Sequence, residues 1–160
     1  MANIFSSQEI LRIAVKVEEN GRGLYGALES NTKKGKMQEV WKYLKEQEEM
    51  HRKVFQEMLD NTGDYIVDEF NPGEYNAYLK AVASGYIITQ ELIEKKTKQL
   101  FSSELEAVEF GIYVEKESIL TYSALRDYVL KKKQSVLGKV IDEEKKHLVQ
   151  LTLIKDQMIK

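Results

Sequence analysis

The sequence predicts an all-α protein, a four-helix bundle of two antiparallel helical hairpins joined by a long, partly helical crossover. Proline occurs once, at Pro72, and helix-forming residues such as Glu, Lys, Leu and Ala are abundant. Alternation typical of a strand is confined to the short stretch DYIVDEF at 64–70. A chain of 160 residues is long enough for one well-cored domain and too short for two ordinary ones, so we expect a single domain over residues 1–160.

Four segments repeat apolar residues every three or four positions and therefore predict long helices. Their approximate ranges are 7–30, 36–60, 103–130 and 134–158. The polar stretches 30–36 and 131–135 are short, so each is expected to join two antiparallel neighbours. The segment 61–102 between the two pairs begins with the turn-like sequences NTGDY and NPGEY and continues as a further predicted helix, which makes it the crossover.

Composition excludes several classes of function. The formal net charge is −2 and the chain has no extended basic stripe, which argues against a nucleic-acid partner. The absence of cysteine excludes disulfides, zinc ribbons, iron–sulfur clusters and thiol catalysis. The first ten residues, MANIFSSQEI, lack the apolar core of a signal peptide, and no apolar run reaches membrane-spanning length. We therefore expect a cytoplasmic protein with no membrane partner.

The stripe that each helix turns toward the core contains titratable residues in its middle. Each of the four stripes holds one glutamate, and the second and fourth add a histidine three residues later on the same face. The six residues are Glu18, Glu48, His51, Glu115, Glu144 and His147. Neighbouring glutamates such as Glu19, Glu49 and Glu143 fall off the stripes. The phase of the six residues therefore predicts that they are buried together.

The two halves of the chain repeat one pattern. Glu18, Tyr25 and Leu28 recur as Glu115, Tyr122 and Leu125, and Glu48 and His51 recur as Glu144 and His147. Such a repeat predicts a site with pseudo-two-fold symmetry, to which each hairpin contributes one half.

Four carboxylates in a dry core would repel one another and lose hydration, at several kcal/mol per ion by general estimates. Protonation would relieve part of this repulsion, and bound cations would relieve more of it. Oxygen and nitrogen donors without sulfur suit iron or manganese, with zinc possible, and leave open positions for water, dioxygen or peroxide. The alternative is a helical scaffold whose polar core only specifies packing. Gly21 and Ser118, one turn from Glu18 and Glu115, would either leave room beside metals or allow close helix packing.

The motifs VEENGRGLYGAL and EQEEMHRKVF, echoed by VEKESILTYSAL and DEEKKHLVQL, resemble the ferritin-like di-iron carboxylate superfamily in its rubrerythrin branch. The resemblance spans nearly the whole chain. It implies that the six residues of the stripes bind two iron ions and carry the catalysis, with Glu48 and Glu144 bridging the ions. It also places Tyr25 and Tyr122 where hydrogen-bond partners of the ligands would lie, although a plain core role for each tyrosine is the favoured interpretation.

The resemblance further implies a redox activity, in which a di-ferrous site is oxidised by hydrogen peroxide or dioxygen for peroxide detoxification under oxidative stress or for iron handling. Rubrerythrins proper usually carry a rubredoxin-like domain with a four-cysteine iron site, which this cysteine-free chain lacks, so the electron donor would be another protein or ferrous iron itself. They also carry one more carboxylate near the third-helix ligand, where this chain has Ile112 and Ser118. A dimanganese catalase-like enzyme is the alternative activity, and we expect a homodimer.

Overall fold

The computed structural model describes residues 7–63, 77, 81, 101–127 and 129–160. Four long helices occupy these ranges: α1 (Ser7–Asn31), α2 (Lys36–Asp60), α3 (Glu104–Arg126) and α4 (Lys131–Met158). The described ranges contain no strand, and the all-α prediction is confirmed. Residues 77 and 81 are helical, and the rest of the predicted crossover between 64 and 100 lies outside the described residues. Within the part of the chain that is described, no helix is both long and apolar enough to cross a membrane.

The helices form the predicted bundle of two hairpins. Helix α1 packs along α2, and α3 packs along α4, each pair being joined by four residues. The hairpins meet through contacts of α1 with α3 and of α2 with α4. The faces that are buried are the predicted stripes, because a side chain recurs on the same face of a helix every three or four residues.

Two helix starts have clear local causes. Gly35 precedes α2 with φ 156° and ψ −169°, a backbone conformation that is accessible almost only to glycine. Ser103 caps α3: its hydroxyl accepts a hydrogen bond from the Glu106 backbone N–H (3.1 Å). The Glu106 carboxylate in turn accepts from the backbone N–H of Ser102 (2.8 Å). The first contact satisfies a backbone donor that a helix leaves unpaired at its first turn, and the second holds the residue before the cap.

The break between α3 and α4 differs from the prediction. Helix α3 ends at Arg126 rather than near 130, and α4 begins at Lys131 rather than at 134. The run Lys131–Lys133, interpreted as a polar connection, forms the first turn of α4, where the Lys133 backbone N–H donates to the Leu130 carbonyl (2.7 Å). Lysine is a good helix former, so a run of lysines marks a solvated helical turn as readily as a loop.

The apolar core consists of two clusters. One is centred on residues from the first half of α1 and the second half of α2, including Ile10, Ala14 and Phe55. The other contains Leu24 and Trp41, which lie nearer the α1–α2 connection. The polar residues of the stripes lie between the two clusters along the bundle axis, since Glu18 falls between Ala14 and Leu24 on α1. The fold therefore encloses a polar layer between two apolar ones.

Candidate metal centre

All six predicted site residues meet in this polar layer. Helices α1 and α3 each contribute one glutamate, and α2 and α4 each contribute a glutamate and a histidine. None of the six is more than 2% exposed. They are Glu18, Glu48, His51, Glu115, Glu144 and His147. Their burial was predicted correctly from their positions on the apolar stripes, because one face of each helix has to be buried in a bundle.

Glu144 lies at the centre of the layer. Its Oε1 is 3.0 Å from Nδ1 of His51, and its Oε2 is 3.1 Å from Nδ1 of His147. The two imidazole rings face each other with centroids 5.8 Å apart. One carboxylate therefore bridges the two histidines, each of which comes from a different hairpin.

Each histidine also faces an unpaired carboxyl oxygen. Oε2 of Glu18 lies 3.6 Å from Nδ1 of His51, and Oε2 of Glu115 lies 3.7 Å from Nδ1 of His147. Both oxygens are buried, and neither forms a hydrogen bond within the described structure. An unpaired buried acceptor is unfavourable by about 1–3 kcal/mol, so these oxygens indicate sites where a cation would be stabilised.

The other oxygen of each glutamate is held by a tyrosine from the opposite hairpin. The Tyr122 hydroxyl donates to Oε1 of Glu18, and the Tyr25 hydroxyl donates to Oε1 of Glu115. The tyrosine rings also pack in the apolar clusters, Tyr25 being stacked on Trp41. Each tyrosine therefore belongs to the core and also orients one glutamate, so its free Oε2 faces a histidine.

The donor atoms form two sets in which all members lie within 4.8 Å of one another. One set is Glu18, His51 and Glu144; the other is Glu48, Glu115, Glu144 and His147. Glu144 belongs to both sets, as expected for a bridging carboxylate. Glu48, also predicted to bridge, belongs to only one. The donor types fit two iron or manganese ions, although the roles of the six residues as ligands remain a prediction.

Three of the carboxyl groups have raised pKa values. Burial raises the pKa of Glu18 and Glu48 well above the usual range, and the charges of neighbouring carboxylates raise them further. Burial and the charge of Glu144 raise the pKa of Glu115 to about 8. In the absence of metal, these shifts therefore favour the protonated form of all three groups.

The pKa values of Glu144 and of the two histidines shift in the direction opposite to the one that burial alone would cause. Burial favours neutral forms, but hydrogen bonds with His147 and His51 hold the pKa of Glu144 at about 2. Hydrogen bonds to carboxylates likewise raise the pKa of His51 and of His147 to about 9 despite burial. In the metal-free layer these shifts favour an ionised Glu144 beside two protonated histidines, and each histidine would have to lose a proton before it could bind a metal ion.

Sequence reasoning missed Glu143 as a contributor to the site. Glu143 lies off the stripe and its side chain is 43% exposed, yet its Oε2 is 2.7 Å from Nε2 of His51. Because Nδ1 of His51 faces Glu144, both ring nitrogens contact carboxylates. The signal was available: Glu143 precedes a predicted ligand, and a glutamate beside the stripe is long enough to reach a histidine on the adjacent helix.

Gly21 lies beside Glu48, which supports the interpretation that the small residue leaves room at the site. A Cβ atom at position 21 would be 2.5 Å from Oε2 of Glu48 and 2.8 Å from its carboxyl carbon. No side chain fits there while Glu48 keeps this conformation. Ser118, the corresponding residue of the other half, is buried.

Comparison with known proteins agrees with this geometry. A protein-family model described as Rubrerythrin matches residues 9–154. A solved structure of a protein from Thermotoga maritima, assigned as a ferritin-like diiron-carboxylate protein, superposes with a TM-score of 0.69 at 24% identity over 97% of both chains. No curated protein matches the sequence. The structural likeness establishes the ferritin-like fold, and the family match includes nearly all of the four helices.

Proposed function

This chain belongs to the rubrerythrin family, and from that premise we propose that it is a non-haem di-iron redox protein whose di-ferrous site is oxidised by hydrogen peroxide or dioxygen. The observation that carries the proposal is the pair of half-sites around Glu144. Each half-site offers a histidine Nδ1, one oxygen of Glu144 and one unpaired glutamate oxygen. That arrangement of donor atoms suits two adjacent metal ions.

The residues present fit iron on charge as well as on donor type. Four carboxylates, once deprotonated, balance the charge of two divalent cations, and neutral imidazoles add one nitrogen to each half-site. Because the pKa values of three glutamates and of both histidines are raised, the binding of two divalent ions would displace protons from these groups. Bound iron would supply one electron per ion for the reduction of peroxide or dioxygen.

The remaining groups keep the ligands in place and limit access. Tyr25 and Tyr122 each hold one oxygen of a glutamate, and Glu143 holds Nε2 of His51. The apolar clusters on both sides of the layer exclude bulk water from it. Since the chain contains no cysteine, reducing equivalents would come from another protein or from ferrous iron itself.

The first test is an anaerobic titration of the metal-free protein with ferrous iron, counting tightly bound ions per chain. We expect two ions for the native chain and a clear loss of affinity in Glu18→Gln, which keeps the shape of the side chain but removes its charge. Glu19→Gln is the matched control, because Glu19 is the adjacent residue, is exposed and pairs with Lys16 on the surface. Absence of tight binding, or equal binding by both variants, would contradict the metal site.

The oxidant is identified by mixing the di-ferrous protein with hydrogen peroxide or with dioxygen and comparing the rates. Faster oxidation by peroxide supports detoxification, whereas fast turnover with dioxygen that accumulates ferric iron supports iron handling. Metal analysis of protein isolated from its native cell addresses the alternative activity, since two manganese ions per chain would favour a catalase-like enzyme.

A further inference from the structure

A partly exposed tyrosine contacts one of the predicted metal ligands. Tyr43 lies on α2 and is 43% exposed. Its ring meets the imidazole of His147 with centroids 6.0 Å apart and the two planes at 90°. His147 itself is only 2% exposed. A single aromatic ring therefore connects the surface of the protein with the buried site.

Tyr43 borders an apolar groove between α2 and α4. The groove has a volume of about 540 Å³ and is lined by Val40 of α2 and by Val149 and Leu153 of α4. Both residues of α4 are 57% exposed. Tyr43 lies one helical turn from Val40 on the same face of α2, which places its ring beside the groove. Exposed apolar side chains gathered in one groove are typical of a surface that binds another molecule.

The groove is positively charged, although the chain as a whole has a formal net charge of −2. Lys36, Lys145 and Lys146 line it, and none of the described residues that line it carries a carboxyl group. Lys145 pairs with Asp142 (3.1 Å), so the positive charge rests mainly on Lys36 and Lys146. Lysines around an apolar centre complement a protein whose contact surface has an acidic rim and an apolar middle.

We propose that this groove and Tyr43 form the docking site of an acidic one-electron carrier protein, which returns electrons to the buried site past Tyr43 and His147. The inference rests on the proposed function and names the partner of the same site. Reduction of one hydrogen peroxide to two water molecules takes two protons and two electrons and leaves both iron ions ferric. Two reduced carrier molecules, each oxidised by one electron, restore both ions to the ferrous state.

The position of Tyr43 is the reason for assigning the carrier to this face. Electron transfer slows steeply as the distance between donor and acceptor grows, and a carrier docked on Tyr43 is one aromatic ring away from His147. The ring serves as a contact path and is neither oxidised nor reduced in the transfer. Redox carriers form small, transient interfaces, so the lysines would act mainly by speeding the encounter, and their effect would weaken with salt.

The first test measures the binding of flavodoxin, a small acidic protein that carries electrons on FMN, to the iron-loaded and the metal-free protein by titration calorimetry. Lys146→Glu is expected to weaken this binding by about tenfold at low ionic strength. Lys116→Glu is the matched control, because Lys116 is an exposed residue of α3 that does not line the groove. Absence of binding by the native chain, or an equal effect of the two variants, would overturn the proposal.

Single cysteines locate the contact, because the native chain has no other thiol that could react. Leu153→Cys places a thiol in the groove, and Leu120→Cys places one on α3, where the native leucine is 51% exposed. Both thiols are expected to react with a maleimide in the free protein, and flavodoxin is expected to slow the labelling at position 153 only. Protection of position 153 before flavodoxin is added would show that another segment of the chain or a second copy fills the groove, and would overturn the proposal.

Two variants of Tyr43 test the path of the electrons. Tyr43→Ser removes the ring, so reduction of the diferric protein by reduced flavodoxin is expected to slow several-fold while the affinity for flavodoxin stays close to the native value. Tyr43→Phe keeps the ring and is expected to keep the native rate. The measurement is the anaerobic loss of ferric absorbance in a stopped-flow instrument. A native rate in Tyr43→Ser would overturn the assignment of Tyr43.

The binding measurements separate this proposal from the proposed function. If the native chain binds two iron ions but not flavodoxin, the docking site fails and the metal site stands. If the chain binds no iron, the proposed function fails and electron delivery fails with it, whereas the titration of the metal-free protein still decides whether the groove docks an acidic protein.

Discussion

At the residue scale, the partly exposed side chain of Glu143 contacts the buried imidazole of His51. Its carboxylate holds Nε2 of His51, which leaves Nδ1 directed at Glu144 and the candidate metal position. The corresponding residue of the other hairpin is Gln47, so a carboxylate occupies this position in one half of the repeat only. A carboxylate partner orients an imidazole and makes it a stronger metal ligand.

We therefore expect Glu143→Ala to weaken the binding of one of the two ions by roughly 10- to 100-fold, a typical effect of losing such a partner. Asp142→Ala is the control, because Asp142 is the adjacent acidic residue and pairs with Lys145 on the surface. Anaerobic ferrous-iron titrations of both variants provide the measurement. Similar affinities in the two variants would show that Glu143 does not act on the site.

A second prediction at this scale concerns Tyr25 and Tyr122, which donate hydrogen bonds to buried glutamates. Removing the hydroxyl of Tyr122 leaves Oε1 of buried Glu18 without its donor, and Tyr25 has the same relation to Glu115. Each change to phenylalanine is expected to lower the free energy of unfolding of the metal-free protein by about 1–3 kcal/mol. Urea denaturation measures this, with Tyr113→Phe as the control because Tyr113 is 38% exposed. A loss no larger than that of the control would make the tyrosines ordinary core residues.

The sequence predicted the six buried polar residues because burial follows from helical phase, which a single sequence displays. It did not predict how the residues pair. That Tyr25 reaches Glu115 rather than the glutamate of its own helix depends on the distance and rotation between helices, which periodicity does not encode. The close approach of Glu48 to Gly21 was hidden for the same reason, since it depends on the contact between α1 and α2.

At the element scale, the ends of the helices were less predictable than their faces. The stripes identified the buried side of every helix, but the α3–α4 break lies at 127–130 rather than at 131–135. The three lysines are compatible with either a loop or a helical turn. Which of the two they form depends on how the preceding residues, Val129 and Leu130, pack. Val129 is buried, and the backbone N–H groups of Lys133 and Gln134 donate to the Leu130 carbonyl, so the helix begins with the lysines.

Two glycines outside the site give a prediction about the elements. Gly35 adopts φ 156° at the start of α2, so Gly35→Ala is expected to destabilise the protein by about 1–3 kcal/mol. Gly138 lies within α4, where a Cβ would meet nothing within 4 Å, so Gly138→Ala is expected to stabilise it by about 0.5–1 kcal/mol. Chemical denaturation of both variants tests this, and effects of the same sign would contradict it.

At the scale of the whole molecule, the centre of the bundle combines stabilising apolar packing with a destabilising group of buried carboxyl groups. The apolar clusters stabilise the fold, while the layer between them gathers four carboxyl groups that repel one another when ionised. Without metal, protonation of the carboxyl groups reduces this repulsion. The stability of the metal-free protein should therefore depend on pH through groups that are buried in its core, rather than through its surface charges.

The sign of this dependence follows from the pKa shifts. Groups whose pKa is raised on folding stabilise the protein fully below their unfolded values, and this stabilisation is lost as pH rises through the folded values. For Glu115 the folded pKa is about 8, and for His51 and His147 it is about 9. Glu144, with its pKa lowered to about 2, loses its contribution only as pH falls below the usual carboxyl range. The metal-free protein is therefore expected to melt at progressively lower temperature from pH 6 to pH 9.

Metal binding should stabilise the protein more as the pH rises, because cations compete with protons for the same ligand atoms. The stabilisation by bound metal grows with affinity, and affinity grows as the ligands lose their protons. We expect the rise in melting temperature caused by a fixed concentration of ferrous iron, measured anaerobically, to be larger at pH 8 than at pH 6. Both histidines of the chain lie in the site, so no histidine elsewhere contributes to the effect. A metal-free protein whose stability increases from pH 6 to pH 9 would show that the buried carboxyl groups are not held protonated, and that their repulsion is relieved by other means.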